Sequence, residues 1–348
     1  MTKPANTFAV VGYGYWGPNI VRNLHAIPDA TVKWVCDLDS GRHAAVEKAF
    51  PTVKATSDLQ SVLSDPDVDA IVVCTPVRAH HAVAVAALEA GKHVFVEKPL
   101  ARTERECREI IELARAKGRK LAVGHTFIYS GAVRKLKDLL DEGVVGRPLY
   151  LDSVRTNLGP YRGDVNALWD LATHDIAIFD YLTNGALPTS VSATGKAVLG
   201  DVEDFAYVSL RYPGGLPAHI HVNWFAPVKT REMLVVGDKK MVVYDDNEAT
   251  EKIRIYDKGG EATPAGLNGE RQVRFRSNGA VIPKLDGTEP LFAELAYFNA
   301  AILTNAEPKS DGESGLRIVK VLEAASRSLA AAGEAVTIEP EALARAAS

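Results

Sequence analysis

Three residues in this 348-residue chain have the types and spacing for proton transfer. Asp170 and His174 are four positions apart in a stretch with helical spacing, so both side chains can project from one helical face. An imidazole beside a carboxylate suits a general base near neutral pH, because the carboxylate stabilises the imidazolium that forms. Lys98 follows an apolar run, and its ammonium could donate a proton or a hydrogen bond. We predict that all three are catalytic; taken singly, each also fits a structural role, as a surface lysine or a capping or core histidine.

A glycine-rich run lies early in the chain, Gly12-Tyr13-Gly14-Tyr15-Trp16-Gly17. It follows an apolar run and opens a helical stretch, which is the context of a dinucleotide-binding turn. Its first glycine permits a tight turn, the second lets backbone N–H groups approach a pyrophosphate, and the third allows close helix packing. Asp37 follows 20 residues later and would accept hydrogen bonds from a ribose while repelling a 2′-phosphate. The pattern predicts NAD rather than NADP, with FAD or an ordinary glycine-rich turn as alternatives; Arg42 could weaken the preference but comes five residues after Asp37.

The ends of the next apolar runs carry residues that would face the same ligand, because ligands of doubly wound sheets bind beyond the carboxyl ends of the strands. Thr75 could contact the nicotinamide side of the dinucleotide. The ammonium of Lys98 would be destabilised near a cationic nicotinamide ring. His80 fits either a cofactor contact or a structural cap. The predicted cofactor contacts beyond the glycine run and Asp37 are Thr75, Pro76, His80, Glu97 and Lys98.

The elements that must position these residues follow two patterns. From residue 8 to about 123, short β-branched runs alternate with helical stretches, which indicates a parallel sheet covered on both faces. Later strands follow one another with little helix between them, which favours an open antiparallel sheet. We predict an α/β Rossmann domain with a doubly wound parallel sheet at 1–123, and an α+β domain with an open, mostly antiparallel sheet at 124–348. The second domain would bind substrate and form a homodimer or homotetramer, because an open sheet face needs cover.

Polar residues around the start of the second domain are candidates for substrate binding. Arginine can grip a phosphate through two parallel hydrogen bonds, and amides and hydroxyls suit sugar hydroxyls. A solvated loop is the alternative interpretation of most of these positions. The candidates are His125, Arg155, Asn157, Tyr161, Arg162, Asn166 and His174.

Composition excludes several classes of protein. Lys plus Arg number 40 and Asp plus Glu 44, a net charge of −4, and without basic tracts this argues against a nucleic-acid partner. A hydrophobic fraction of 47% with 24% charged residues rules out a disordered or collagen-like chain. The three cysteines lack metal-site spacing, so we predict no metal. Without a signal peptide or a membrane-spanning segment in the sequence, we expect a cytoplasmic protein with a small-molecule substrate and no membrane partner.

Several motifs, in this order, resemble those of the glucose–fructose oxidoreductase, inositol dehydrogenase and MocA family. They are Gly12-x-Gly14-x-x-Gly17, Thr75-Pro76 with His80, Glu97-Lys98-Pro99 and Asp170-x-x-x-His174. The resemblance covers nearly the whole chain. It implies that Lys98, Asp170 and His174 act on a sugar or cyclitol hydroxyl.

Within that family, the segments 124–129, 153–159 and 164–171 are similar to nucleotide-sugar 3-dehydrogenases. This similarity implies oxidation of the 3-hydroxyl of UDP-N-acetylglucosamine or its uronate. Thr173 departs from the pattern, which has proline before the histidine, and could shift the start of the helix.

Other functions use the same residues. A ketosugar reductase, or a dehydrogenase of free sugars or inositol, would need the same relay, although Asp37 argues against the NADPH that a reductase usually favours. A regulatory protein that senses dinucleotides would need the glycine run but no proton relay. Glycoside cleavage with transient use of NAD would release no net NADH.

Overall fold

The computed structural model describes residues 5–159, 161, 165–262 and 273–339, and the chain divides into two compact units. The first unit comprises Met1–Ser130 and Thr288–Lys320. The second comprises Gly131–Gly287 and Val321–Ser348. No helix in the described part of the chain is long and apolar enough to cross a membrane.

The first unit is built on a six-stranded parallel sheet in the order β3-β2-β1-β4-β5-β6. Its strands are β1 (Asn6–Val11), β2 (Ala30–Cys36), β3 (Lys54–Thr56), β4 (Ala70–Val73), β5 (His93–Glu97) and β6 (Leu121–Gly124). The helices between them are α1 (Gly17–Ala26), α2 (His43–Ala49), α3 (Leu59–Leu63), α4 (His80–Glu89) and α5 (Glu104–Ala116). This order confirms the predicted doubly wound Rossmann sheet.

Local sequence explains these elements. Every residue of β4 is buried, as expected for a central strand covered on both faces. Helix α5 begins after Thr103, whose hydroxyl accepts the backbone N–H of Glu106 at 3.2 Å. Glu104 and Glu106 lie in its first turn, where negative charge favours the helix dipole.

A helix from the later part of the sequence completes the first unit. Helix α8 (Pro290–Thr304) places Phe298 against Phe8 and Phe95, with ring centroids 6.3 and 5.7 Å apart. The side-chain amide of Asn6 donates to Asn299 Oδ1 at 2.8 Å. The compact units therefore differ from the predicted division into 1–123 and 124–348, because the core of the parallel sheet is partly covered by residues that follow the antiparallel one.

The second unit contains a nine-stranded sheet in the order β14-β13-β12-β11-β7-β10-β9-β8-β15. Among its described pairs, β7 and β10 run parallel and the rest antiparallel, which confirms the predicted mostly antiparallel sheet. The strands are β7 (Pro148–Leu158), β8 (Ser190–Lys196), β9 (Phe205–Arg211), β10 (Pro217–Asn223), β11 (Phe225–Gly237), β12 (Met241–Asp245), β13 (Ile253–Ala262), β14 (Val273–Val281) and β15 (Val336–Thr337). The unit also holds α6 (Gly131–Asp141), α7 (Thr173–Leu182) and part of α9 (Gly312–Ala330).

Helix α7 is entered through a wider turn. Residues Leu168–Ala172 form one π-helical turn that runs directly into α7. The hydroxyl of Thr173 donates to the carbonyl of Trp169, and the side chain is fully buried. Thr173 therefore does not start a new helix: the helical backbone is continuous from Leu168, and the threonine stabilises its wide turn.

Candidate functional site

The predicted cofactor residues of the first unit, together with the substrate candidate His125, lie at one edge of the parallel sheet. The glycine run follows β1, Thr75 follows β4, Lys98 follows β5 and His125 follows β6. Because all six strands run parallel, these carboxyl ends share one edge. The structure thus brings together residues that are up to 113 positions apart in sequence (12 to 125).

Two glycines of the run are required by close backbone contacts. Gly12 has a φ of +100°, and a Cβ there would lie 2.6 Å from the carbonyl of Cys74. A Cβ on Gly17 would lie 2.5 Å from the carbonyl oxygen of Gly12. Tyr13 is buried, while Tyr15 and Trp16 are exposed and stack with centroids 6.5 Å apart. Helix α1 begins at Gly17, so its N-terminal N–H groups and this tight turn suit a pyrophosphate.

Asp37 is buried at the end of β2, with most of its carboxylate engaged. Its Oδ2 accepts the Tyr13 N–H at 2.6 Å and the Arg42 guanidinium at 3.0 Å, and its Oδ1 accepts the Asp39 N–H at 2.9 Å. Burial would raise the pKa of Asp37, but these hydrogen bonds and the Arg42 charge hold it below its usual value. Each carboxylate oxygen has two lone pairs, so Oδ1 can still accept a ribose hydroxyl. Arg42 lies closer than its sequence distance suggested: its Nη1 is also 3.4 Å from the Cβ position of Gly14.

His80 holds two of the loops together. Its Nδ1 is 2.8 Å from the carbonyl oxygen of Pro99, and its Nε2 is 2.8 Å from that of Thr75. The ring is buried and both nitrogens face carbonyl oxygens of the protein, which favours the structural alternative, and the predicted cofactor contact of His80 stays a prediction. Pro76 precedes a short 3-10 turn at Val77–Ala79. The Thr75 hydroxyl is buried and has no hydrogen-bond partner within the described ranges, which suits a ligand that donates or accepts there.

The Glu97 carboxyl lies inside the protein beside Lys98. Its Oε2 accepts the Lys98 backbone N–H at 3.3 Å, and the Trp16 side chain donates to the carboxyl as well. A Cβ on Gly124 would lie 3.0 Å from Oε2, so the carboxyl packs against the end of β6. Burial raises the pKa of Glu97 to about 7, against the lowering effect of the Lys98 charge. Glu97 is therefore a titratable neighbour of Lys98 in the physiological range.

His125 is fully enclosed just after β6. Both ring nitrogens are buried, and neither has a hydrogen-bond partner in the part of the chain that the structure describes. Burial lowers the pKa of His125 to about 3, and the charges of Lys98 and Arg317 act in the same direction. The imidazole is therefore neutral, and a hydroxyl group could satisfy it as donor or acceptor.

The second unit positions Asp170 through a tryptophan that sequence reasoning missed. The indole N–H of Trp224 donates to Asp170 Oδ2 at 3.2 Å. Trp224 is buried and meets Tyr161 edge to face, with centroids 5.9 Å apart. His174 is half-buried in the first turn of α7, four residues after Asp170. No sequence motif points to Trp224, since it lies just after β10 and 54 positions from Asp170 along the chain.

Arg155 has a different partner from the predicted phosphate. Its Nε and Nη2 donate to the two oxygens of Asp175 at 2.9 and 3.0 Å, and Ser153 donates to the same carboxylate at 2.9 Å. All three side chains are buried between β7 and α7. This buried two-point ion pair favours a structural role for Arg155, and its predicted substrate role stays a prediction. The pair instead fixes the residue that follows His174.

The other candidates divide between structural and open positions. Asn166 accepts the Trp169 N–H at 3.0 Å and donates to Glu203 at 2.8 Å. These bonds make it a cap of the helical segment, and its predicted substrate contact stays a prediction. Asn157 is half-buried near the end of β7. Arg162 lies outside the described residues. The role of Asn157 stays a prediction.

Two family profiles match the chain. The first, described as an oxidoreductase family with an NAD-binding Rossmann fold, matches residues 6–125. The second, the GFO/IDH/MocA C-terminal domain, matches residues 133–243. Together they cover most of the chain, and it belongs to the Gfo/Idh/MocA family of oxidoreductases. The first unit is accordingly an NAD-binding Rossmann domain.

Similar proteins match either nearly the full length of the chain or about half of it. The oxidoreductase YrbE of Bacillus subtilis, whose activity is uncharacterized, is 28% identical over 97% of this chain and 98% of its own. Inositol 2-dehydrogenase of Salmonella typhimurium is 32% identical, over 50% of this chain and 54% of its own. The structure of UDP-N-acetylglucosamine 3-dehydrogenase GnnA from Acidithiobacillus ferrooxidans is 27% identical, with a TM-score of 0.79 over 94% of this chain and 98% of that one.

Proposed function

We propose that the protein oxidises a sugar ring hydroxyl with NAD, and that its substrate is the 3-hydroxyl of a UDP-N-acetylhexosamine or the corresponding uronate. The observation that carries the proposal is the shared sheet edge: the glycine run, the Thr75 hydroxyl and Lys98 all lie where a dinucleotide binds in this fold. The full-length similarity to a UDP-N-acetylglucosamine 3-dehydrogenase supports the substrate class.

The proposed chemistry needs one proton and one hydride to leave the substrate. Bound NAD supplies the hydride acceptor, at C4 of its nicotinamide ring. His174 takes the hydroxyl proton, Asp170 orients the imidazole and stabilises its cation, and Lys98 donates a hydrogen bond to the substrate oxygen. The hydroxyl carbon thereby becomes a carbonyl carbon. Trp224 supports this arrangement by fixing Asp170 at 3.2 Å.

The experiment follows absorbance of NADH after the protein is mixed with NAD and a panel of compounds. The panel holds UDP-N-acetylglucosamine, its uronate, free sugars and myo-inositol. NADH formed with one nucleotide sugar supports the proposal. NADH formed with inositol alone would support the second candidate, a cyclitol dehydrogenase, which the 32% identity to inositol 2-dehydrogenase favours. NAD binding without any NADH would favour a reductase, a redox-neutral enzyme or a dinucleotide sensor.

The preference for NAD is tested at the end of β2. Asp37→Ala removes the acceptor for a ribose hydroxyl and the charge that repels a 2′-phosphate, so NAD binding should weaken by about tenfold while NADP binding holds or tightens. Titration of tryptophan fluorescence with each dinucleotide measures both constants. Asp39→Ala is the matched control, since Asp39 also pairs with Arg42, at 3.2 Å, but is largely exposed. Tighter binding of NADP than of NAD to the unchanged protein would contradict the proposed preference.

A further inference from the structure

A second buried carboxyl contacts the segment that packs against Glu97. Helix α8 carries Glu294, which is 1% exposed. Its Oε2 accepts the hydroxyl of Thr126 at 2.7 Å, and its Oε1 is buried with no hydrogen-bond partner among the described residues. Gly124, two residues before Thr126, packs against the Glu97 carboxyl. Residues 124–126 are thus flanked by two buried carboxyl groups.

The two carboxyls have unequal surroundings. Glu97 has the Lys98 ammonium, the Lys98 backbone N–H and the Trp16 side chain to stabilise a negative charge. Glu294 has the Thr126 hydroxyl and the His125 backbone, and no cation pairs with it among the described residues. A buried carboxylate without a cation is costly, and a second negative charge nearby adds to the cost. These contacts favour a negative charge on Glu97 and a proton on Glu294.

We infer that Glu97 and Glu294 form a coupled pair that carries a single negative charge, with the proton on Glu294, and that Glu294 is thereby a positioning residue for Lys98. Glu294 keeps Glu97 as the lone anion beside the ammonium and fixes residues 124–126 through Thr126. The positioning role of Glu294 toward Lys98 rests on the proposed function, whereas the charge state of the Glu97–Glu294 pair does not.

Electrostatics agrees with this geometry. Burial, and then the charge of Glu97, raise the pKa of Glu294 well above its usual value. The other ionisable groups near the pair are Lys98 after β5 and His125 and Tyr129 after β6, and the charge of Arg317 on α9 acts on His125. His125 is neutral and burial raises the pKa of Tyr129, so neither supplies a counter-charge to Glu294 near neutral pH.

The first test compares the stability of the protein with that of Glu294→Gln between pH 5 and 9, by urea unfolding without substrate. A glutamate that is neutral when folded and ionised when unfolded binds one extra proton in the folded state. The folding equilibrium constant then falls by about tenfold per pH unit, relative to the glutamine variant, until Glu294 ionises in the folded protein. A ratio that stays constant with pH would show that Glu294 is ionised or unperturbed, and would overturn the inference.

Coupling is tested by repeating the comparison with Glu97→Gln in both proteins. Without the charge on Glu97, Glu294 should ionise more readily, so the pH-dependent gain from Glu294→Gln should end at a lower pH. An unchanged curve would exclude a coupled pair. Asn299→Ala is the control, because Asn299 is a buried polar residue of the same helix that bonds to Asn6; its effect on stability should not depend on pH.

Infrared spectroscopy keeps the inference testable if Glu294→Gln does not fold. The unchanged protein should show the carbonyl stretch of a protonated carboxylic acid at pH values where ordinary glutamates are ionised. The absence of that band would overturn the assignment of the proton.

Positioning of Lys98 is tested by the pH profile of kcat/KM for NADH formation. Glu294→Gln removes a group that ionises at high pH near Lys98, so the alkaline limb should move to lower pH, whereas Asn299→Ala should keep the original profile. A superimposable profile would remove Glu294 from any role toward Lys98. If the unchanged protein forms no NADH with any compound, the proposed function fails, while the unfolding and infrared results still decide the charge of the pair.

Discussion

At the scale of single residues, ion pairs and capping bonds decide which polar side chains are available for chemistry. Arg155 looked like a phosphate ligand because arginine is the residue that grips phosphates in two-point fashion. The structure instead pairs it with Asp175, and the same reasoning applies to Asn166, which caps a helical segment. Asp170 accepts the indole N–H of Trp224, and the predicted roles of Asp170 and His174 stand as proposals for experiment.

His174→Ala is the direct test of the proposed general base. Loss of an acid–base group usually lowers turnover by about a hundredfold or more, so kcat should fall on that scale while the Kd for NAD stays unchanged. Stopped-flow or steady-state NADH absorbance gives kcat, and fluorescence titration gives Kd. His219→Ala is the control: His219 also faces a carboxylate, Asp152, at 3.1 Å, but on the sheet surface of the second unit. A loss of less than tenfold would exclude His174 as the base.

Arg155→Met leaves the buried Asp175 carboxylate without its cation. Breaking a buried pair from one side typically costs about 3–5 kcal/mol, because the remaining charge is uncompensated. Urea unfolding measures the loss. Arg231→Met serves as the control, since Arg231 lies opposite Arg155 on β11 and pairs with Asp246 at 3.4 Å in a half-exposed position. A surface pair is worth about 1 kcal/mol or less, so equal losses in the two variants would contradict a buried role for Arg155.

At the scale of elements, α8 contributes most that the strand pattern alone does not show. Its buried face supplies Phe298 to the core of the parallel sheet. The same helix supplies Glu294, whose carboxyl accepts the hydroxyl of Thr126 just after β6. The helix itself was predictable from its apolar spacing near 289–305. Its position was not, because nothing local in the sequence records that it packs against β1 and β5.

Phe298→Ala should lower the stability of the nucleotide-binding unit by about 3–5 kcal/mol, the usual cost of a buried Phe truncated to Ala. The neighbouring Tyr297→Ala should cost about 1 kcal/mol or less, because Tyr297 is 41% exposed. Denaturation followed by the fluorescence of Trp34, which lies on β2, reports on this unit in both variants. Similar losses for the two substitutions would mean that α8 does not contribute its buried face to this core.

Some elements were predictable and others not, for physical reasons. Strands β1, β4 and β5 each contain a continuous apolar run. Such runs predict strands that are buried on both faces. Strand β3 has three residues and β15 two, which is too short for any periodicity to register. The glycine run and Lys98 could be placed from the sequence because strand ends define their position. The Arg155–Asp175 and Glu97–Glu294 relations could not, since they depend on packing between elements.

At the scale of the whole molecule, the chain folds into two compact units. The nine-stranded sheet of the second unit exposes residues on one face of β9. Strand β9 alternates buried and exposed residues along its length, so at this strand one face of the sheet is covered by the described residues and the other is exposed. Tyr207 lies on that open face and stacks on His221 with centroids 4.4 Å apart. This arrangement is the physical basis for expecting copies of the chain to associate through the sheet.

Tyr207→Glu places a charge on that open face and should shift a dimer or tetramer toward monomers, because an uncompensated charge is costly to bury at an interface. Size-exclusion chromatography with light scattering over a concentration series measures the shift. Tyr297→Glu is the matched control, since its side chain has nearly the same exposure, 41% against 43%, but belongs to α8. A protein that is monomeric before substitution would exclude association through this face.

The return of α8 to the parallel sheet has a consequence for biosynthesis. During translation, the six strands of the first unit are complete long before Thr288 is made, and Phe8 and Phe95 then lack the aromatic ring of Phe298 that covers them. The nascent nucleotide-binding unit must therefore wait, with apolar surface exposed, until the intervening antiparallel sheet has been synthesised. Stable dinucleotide binding on the ribosome would then report that translation has passed α8, and chains arrested before it would be natural clients for chaperones that bind apolar surface.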